Sequence, residues 1–284
     1  MHLIGVVKVE FSMKLMTSVV AFFLVSIVSL IVVFRHAQGT QTGAGAMGAN
    51  KPARAVVVEL FTSEGCSSCP PADALLARLD QEQHLGNAEI IALEEHVDYW
   101  DHLGWRDPFS SAQWTERQQD YASSLGNEGV YTPQMVVDGR MEFVGSSQSR
   151  VRAAIGEAVQ RPKADIALSS SEIAGGQVRV KIDVRMLPSP ASRDAQVWLA
   201  VTETGLHSNV KRGENAGEDL RHAAVVRSLR RVGDAKSSQE TAYSGDQDVR
   251  LDSGWKQENL RAVVFVQDAK SRHILGAASL HLKQ

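Results

Sequence analysis

The sequence predicts three parts in order: an N-terminal hydrophobic helix, an α/β domain with a mixed sheet flanked by helices, and an all-β, sandwich-like domain. Three observations predict this. The chain has 284 residues, enough for about two domains. Its periodicity changes: strand-like and helix-like runs alternate up to about residue 162, and short strand-like runs follow with scarce helical spacing. Residues 15–34 form an uncharged apolar run. The expected organisation is a signal peptide or membrane anchor over 1–37, a flexible linker over 38–54, the α/β domain over 55–162 and the β-rich domain over 163–284.

As a helix, the apolar run would be roughly 30 Å long, the thickness of a bilayer core. Lys8 and Lys14 precede it; Arg35 and His36 follow it. A signal peptide usually has a shorter apolar region followed by small residues. Here Arg35 spoils the nearest site, at Ala37, and Ala44-Gly45-Ala46 lies far downstream. An uncleaved anchor is therefore the first reading and a long signal peptide the second. A true start at Met13-Lys14 favours the second. Both put the body in the periplasm or outside the cell, the first with residues 15–34 in the inner membrane. Residues 38–54, rich in Gly, Ala, Thr and Gln, read as the linker. Net charge is −3, which favours neither nucleic acid nor an anionic surface.

In the α/β part, Val56-Val57-Val58-Glu59-Leu60-Phe61 suits a buried central strand. A turn over Thr62-Ser63-Glu64-Gly65 leads to Cys66-Ser67-Ser68-Cys69. Ala72, Leu75, Leu76 and Leu79 then mark one face of a helix, with Pro70 and Pro71 in its first turn. A second strand centres on Ile90-Ile91-Ala92-Leu93. Asp107-Pro108 reads as the N-cap and first position of a helix running through Trp114 and Tyr121 to about Leu125. Residues 134–137 and 141–144 form a hairpin across Asp138-Gly139. Val151, Ala154, Ile155 and Ala158 mark a closing helix. Beyond it, strands are expected over 165–168, 177–184, 195–201, 262–266 and 277–281.

Only two cysteines occur, both in this motif. A disulfide framework would spread cysteines along the chain, and a structural zinc site would need two further ligands. A CxxC at a helix start has a redox purpose, because amide groups and the helix dipole stabilise a thiolate there. Cys66 is then the nucleophile and Cys69 the resolver.

Tyr131-Thr132-Pro133-Gln134 before an apolar strand resembles the cis-proline loop of thioredoxin-fold proteins. The likeness implies a cis Pro133, with Thr132 offering its backbone to a substrate. It also implies that Glu59 is a buried proton acceptor for the resolving cysteine. The stretch 59–73, with His96-Val97-Asp98-Tyr99-Trp100-Asp101, Leu103-Gly104-Trp105, Asp107-Pro108, Tyr131-Thr132-Pro133-Gln134, Arg212-Gly213-Glu214-Asn215-Ala216-Gly217 and His222, is similar to a bacterial family of secreted thioredoxin-like proteins classed as a domain of unknown function. That resemblance spans about Ala55 to the C-terminus and implies a thioredoxin-like domain followed by a β-rich one. Unlike ordinary thioredoxins, the pair encloses Ser-Ser, two prolines follow it, and Pro133 lies 67 positions after Cys66, so 96–125 reads as an insertion.

Tyr99 and Trp100, in a cluster with His96, Asp98, Asp101, His102 and Trp105, read either as a groove for substrate or as the packed lid of that insertion. The 211–219 loop reads as a solvated connection, or as one folded onto the Cys66 face that brings Arg221 and His222 with it. The expected function is an extracytoplasmic thiol–disulfide oxidoreductase using Cys66 and Cys69. The alternative is a binding module for copper or a peptide with a structural disulfide, copper recruiting His96 and Asp98 beside the cysteines. No cofactor beyond the redox-active disulfide and no metal ligands are otherwise expected. Expected partners are protein or peptide thiols and disulfides, with a membrane redox partner; no nucleic acid is expected.

Overall fold

The computed structural model describes residues 53–188, 195–236 and 239–282. The apolar run over 15–34 and most of the linker lie outside them. Among the described residues no helix is long and apolar enough to cross a membrane.

Strand β1 (Arg54–Thr62) and strand β3 (Ala88–His96) pair in parallel along their whole length, at the centre of the sheet. Their even-numbered residues face one way and their odd-numbered ones the other. Val56, Val58, Leu60, Ile90 and Ala92 pack under helix α1 (Pro70–Glu82), which lays down Leu75, Leu76 and Leu79 as its spacing predicts. Helix α3 (Gln148–Ala158) covers the same face with Val151, Ala154 and Ile155. On the other face Val57, Phe61, Ile91 and Leu93 meet Trp114 and Tyr121 of helix α2 (Ala112–Leu125).

Helix α2 does not start at Asp107. Ser111 is its N-cap and accepts the Gln113 amide, while the Asp107 carboxylate is taken up elsewhere, as described below. Strands β4 (Gln134–Val137) and β5 (Met141–Val144) form the expected hairpin, with Asp138 and Gly139 both at positive φ. The short β2 (His84–Leu85) pairs with β3.

Past residue 162, β6 (Asp165–Ser170), β7 (Gln177–Arg185) and β12 (Thr241–Arg250) form a three-stranded sheet. Strands β9 (Leu206–Asn209) and β10 (Asp219–His222) form a small ribbon. The rest join the first sheet: β8 (Ala195–Glu203), β11 (Val225–Ala235), β13 (Leu260–Asp268) and β14 (Ile274–His281) extend it in the order β14-β13-β8-β11-β3-β1-β4-β5. The junction is the parallel pairing of Val225 in β11 with Glu94 in β3.

This corrects the expected fold class. An α/β domain followed by a separate all-β sandwich is not what forms. The structure is mostly β, 45% strand against 18% helix, because one large mixed sheet with three helices draws strands from both parts of the chain. The expected N-terminal apolar helix falls outside the described residues. Strand β11 makes the difference and does not read as a strand. It contains three arginines, and register shifts at Val226/Ser228 and Arg231/Gly233 break its alternation.

Candidate functional site

The Cys66–Cys69 disulfide closes the turn between β1 and α1. Successive amides fold this turn: Cys66 N–H donates to Ser63 O, and Cys69 N–H to Cys66 O. Cys69 is the N-cap of α1, and its carbonyl accepts the Ala72 and Asp73 amides. Cys66 is 1% exposed and Cys69 0%, while Ser67 and Ser68 between them are exposed.

The Thr132–Pro133 peptide is cis. The indole N–H of Trp100 donates to Thr132 Oγ1 at 2.9 Å, and a Cβ on Gly65 would lie 3.0 Å from Trp100 Cβ. Trp100 therefore bridges the cysteine turn and the proline loop. Tyr99 bonds Gln118 Oε1 through its hydroxyl. Among the described residues no backbone hydrogen bond uses the Thr132 amide or carbonyl.

The second part of the chain reaches this turn. Glu214 Oε2 accepts from the Ser67 hydroxyl (2.6 Å) and amide (3.2 Å). Asn215 Nδ2 donates to Glu64 O (2.8 Å) and Cys66 O (3.1 Å). Of the two readings of this loop, the one that folds it onto the cysteine face holds. Arg221 takes no part; it is exposed and pairs with Asp219.

Glu59 is fully buried, but on the face opposite α1. Arg117 Nε and the Tyr121 hydroxyl donate to its carboxylate, and Arg117 also pairs with Glu95 at 3.3 Å. Among the described residues no hydrogen bond or ion pair joins Glu59 to the disulfide, and its carboxylate sits in a buried ion pair. Burial alone would depress the Arg117 pKa, yet Glu59, Tyr121 and Glu95 hold it well above the usual value.

A second buried polar cluster lies on the α1 face, next to the cysteine turn. His96 Nδ1 is 2.7 Å from Asp107 Oδ2, which also accepts the Glu64 amide at 2.8 Å. His222 sits between two acids, with Nδ1 2.8 Å from Glu94 Oε1 and Nε2 3.2 Å from Glu64 Oε1. Trp105 Nε1 donates to Glu64 Oε2 at 2.7 Å. The two imidazoles meet edge to face, 4.7 Å between centroids, and Phe109 packs against both. Burial would raise the Glu94 pKa, but the charge and hydrogen bond of His222, with His96 Nε2 standing 3.6 Å off, hold it at about 2. Burial would lower His222, and Glu94 with Glu64 raises it to about 9. His96 is likewise raised, against its burial, by Asp107. Asp73, one turn into α1 and bonded by Thr62 Oγ1 at 2.6 Å, is pushed up to about 7 by burial and then by the charge of Glu94.

Sequence reasoning singled out His96, Trp105, Asp107 and His222 separately, but it missed Glu94 and did not bring them together as one cluster. One signal was present. Glu94, Glu95 and His96 end an apolar strand, and a strand covered on both faces buries whatever ends it. Such charges need partners, and strand alternation sends Glu94 and His96 to one cluster and Glu95 to the other.

Two solved structures resemble the chain over most of its length. Protein AGR_C_4864 from Agrobacterium tumefaciens is 29% identical, with a TM-score of 0.59 over 81% of this chain and 94% of that one. HBP35 of Porphyromonas gingivalis is 16% identical, with a TM-score of 0.60 over 81% and 76%, a likeness of fold alone. No curated protein matches. The family model described as "Protein of unknown function (DUF1223)" matches residues 57–267. That match covers most of the chain, which therefore belongs to the DUF1223 family.

Proposed function

We propose that the chain is an extracytoplasmic thiol–disulfide oxidoreductase acting through Cys66 and Cys69. The observation that carries this reading is the disulfide across the turn that opens α1, with Cys69 at the N-cap. Helix amides and dipole stabilise a thiolate there and make it a good leaving group.

The exchange balances as follows. A partner thiolate attacks Cys66 Sγ; the Cys66–Cys69 bond breaks, a mixed disulfide forms, and Cys69 leaves as thiolate. A second partner thiolate attacks the partner sulfur of that mixed disulfide and releases Cys66. The partner dithiol is then a disulfide, and the cysteine pair holds two electrons. With a disulfide partner the same steps run backwards. Thr132, with its unpaired backbone groups beside cis Pro133, and the half-buried Tyr99 and Trp100 supply a place for an extended peptide. The partners are accordingly protein or peptide thiols and disulfides, with a membrane protein as the electron source or sink. The apolar run over 15–34 supports a location outside the cytoplasm, either anchored or secreted.

A second reading keeps the disulfide structural and gives the same pocket to a peptide or to copper. It is favoured by the burial of Cys66, which is 1% exposed. The reduction potential of the full-length chain, equilibrated in glutathione and dithiothreitol buffers, separates the two. A value between about −120 and −270 mV is that of working catalysts and supports the exchange reaction; one below about −300 mV is that of a structural disulfide and rejects it.

A further inference from the structure

We infer that Glu94, His96 and His222 form a binding site for one divalent transition-metal ion, with Zn²⁺ the ion that best suits the donors. This inference stands apart from the redox reading and uses neither cysteine.

The site is assembled by topology. Alternation along β3 puts Glu94 and His96 on the same face of the sheet. The pairing of Val225 with Glu94 draws the end of β10 alongside, so that His222 lies over both. One donor atom from each residue falls within 4.8 Å of the other two, and all three residues are buried. His222 Nδ1 is 2.8 Å and His96 Nε2 3.6 Å from Glu94 Oε1. Zinc bonds of about 2.0–2.1 Å at tetrahedral angles place donors roughly 3.3 Å apart, between these two separations.

A second observation points to a ligand independently. His96 Nε2 is completely buried and has no hydrogen-bond partner, although it is directed at Glu94. A nitrogen so placed needs either a partner or an ion.

The backs of both rings are built as metal sites require. A ligating histidine usually turns its other nitrogen to a carboxylate, which fixes the ring and raises its basicity. Asp107 stands 2.7 Å behind His96, and Glu64, held by Trp105, stands 3.2 Å behind His222. The two front nitrogens converge on the one carboxylate. Two imidazoles and one carboxylate suit Zn²⁺ and its first-row neighbours. Ca²⁺ and Mg²⁺ are excluded by their demand for six or more mainly oxygen donors, and Cu(I) by the absence of sulfur.

The test uses the full-length chain in detergent, stripped with a chelator and titrated with Zn²⁺ against a chromogenic competitor. One equivalent should bind and raise the thermal midpoint. His96→Gln and His222→Gln should each weaken binding at least 100-fold, and Asp107→Asn, one layer out, about 10- to 100-fold. The Cys66→Ser/Cys69→Ser double variant should bind as the parent does. X-ray absorption of the zinc-loaded parent guards against misfolded variants, and should show two imidazoles, oxygen and no sulfur. The inference is overturned by failure to bind one equivalent tighter than the competitor, by sulfur in the first shell, or by binding lost in the cysteine variant and kept in the histidine ones.

Discussion

Arg117 is one guanidinium that serves two buried carboxylates. It bonds Glu59, pairs with Glu95 and bonds the Tyr121 hydroxyl, all in the core beneath α2. Removing it leaves two acids without their counter-charge, so Arg117→Ala should lower unfolding free energy by about 3–5 kcal/mol in urea titrations. Glu59→Gln separates structure from chemistry. It should lower stability by about 1–3 kcal/mol, because a charged acceptor is lost, and leave the Cys66–Cys69 potential unmoved. A shifted potential would support Glu59 as the proton acceptor for the resolving cysteine. Gly139 is a different kind of constraint. It sits at φ +64°, and a Cβ there would come 2.0 Å from the Arg272 carbonyl oxygen. The left-handed backbone costs a side chain about 1–2 kcal/mol and the crowding about 1–3 more, so Gly139→Ala should lose about 2–5 kcal/mol with unchanged thiol reactivity.

The 210–218 loop is an element whose role lies in its two contacts with the cysteine turn. Asn215 grips the main chain at Glu64 and Cys66, while Glu214 straps the exposed Ser67. In the proposed exchange a partner would have to reach Cys66, which is 1% exposed, and the strap would have to lift first. Glu214→Ala should therefore speed reduction of the disulfide by dithiothreitol several-fold, read in a stopped-flow thiol assay; an unchanged rate would show that the loop is a passive cover. Glu214 and Ser67 are both exposed, so water replaces the lost contact and the thermal midpoint should hardly move. At this scale much was legible. The apolar spacing of α1 and α3, the Asp138-Gly139 turn and the CxxC at a helix start are local patterns, and the structure places them where the sequence does. What did not read depends on long-range pairing. Asp107 has the chemistry of an N-cap, yet it is drawn to His96 and Glu64, and Ser111 takes its place. Strand β11 hides behind bulges, and β12 is polar, with Gly245 and alternating exposure.

The size of the cooperative unit is decided by how the sheet crosses residue 162. Residues before that point satisfy their buried polar groups with residues that come after it. Glu64 and Glu94 depend on His222, and Arg117 and Tyr121 share Gln267. Apolar packing is shared in the same way. Strand β13 sends Val264 and Val266 to the core beneath β7, while Val263 and Phe265 pack with Phe61 and Tyr121. A chain cut after residue 162 would leave Glu94 buried without its histidine and bare the β3 edge that β11 covers. Such a fragment should be insoluble or lack cooperative unfolding. The intact chain should melt in one calorimetric transition, its van't Hoff and calorimetric enthalpies agreeing. Two resolved transitions, or a soluble 1–162 fragment with a cooperative melt, would mean that the sheet joins two independently stable halves. The Val225–Glu94 junction would then be an interface rather than part of a core.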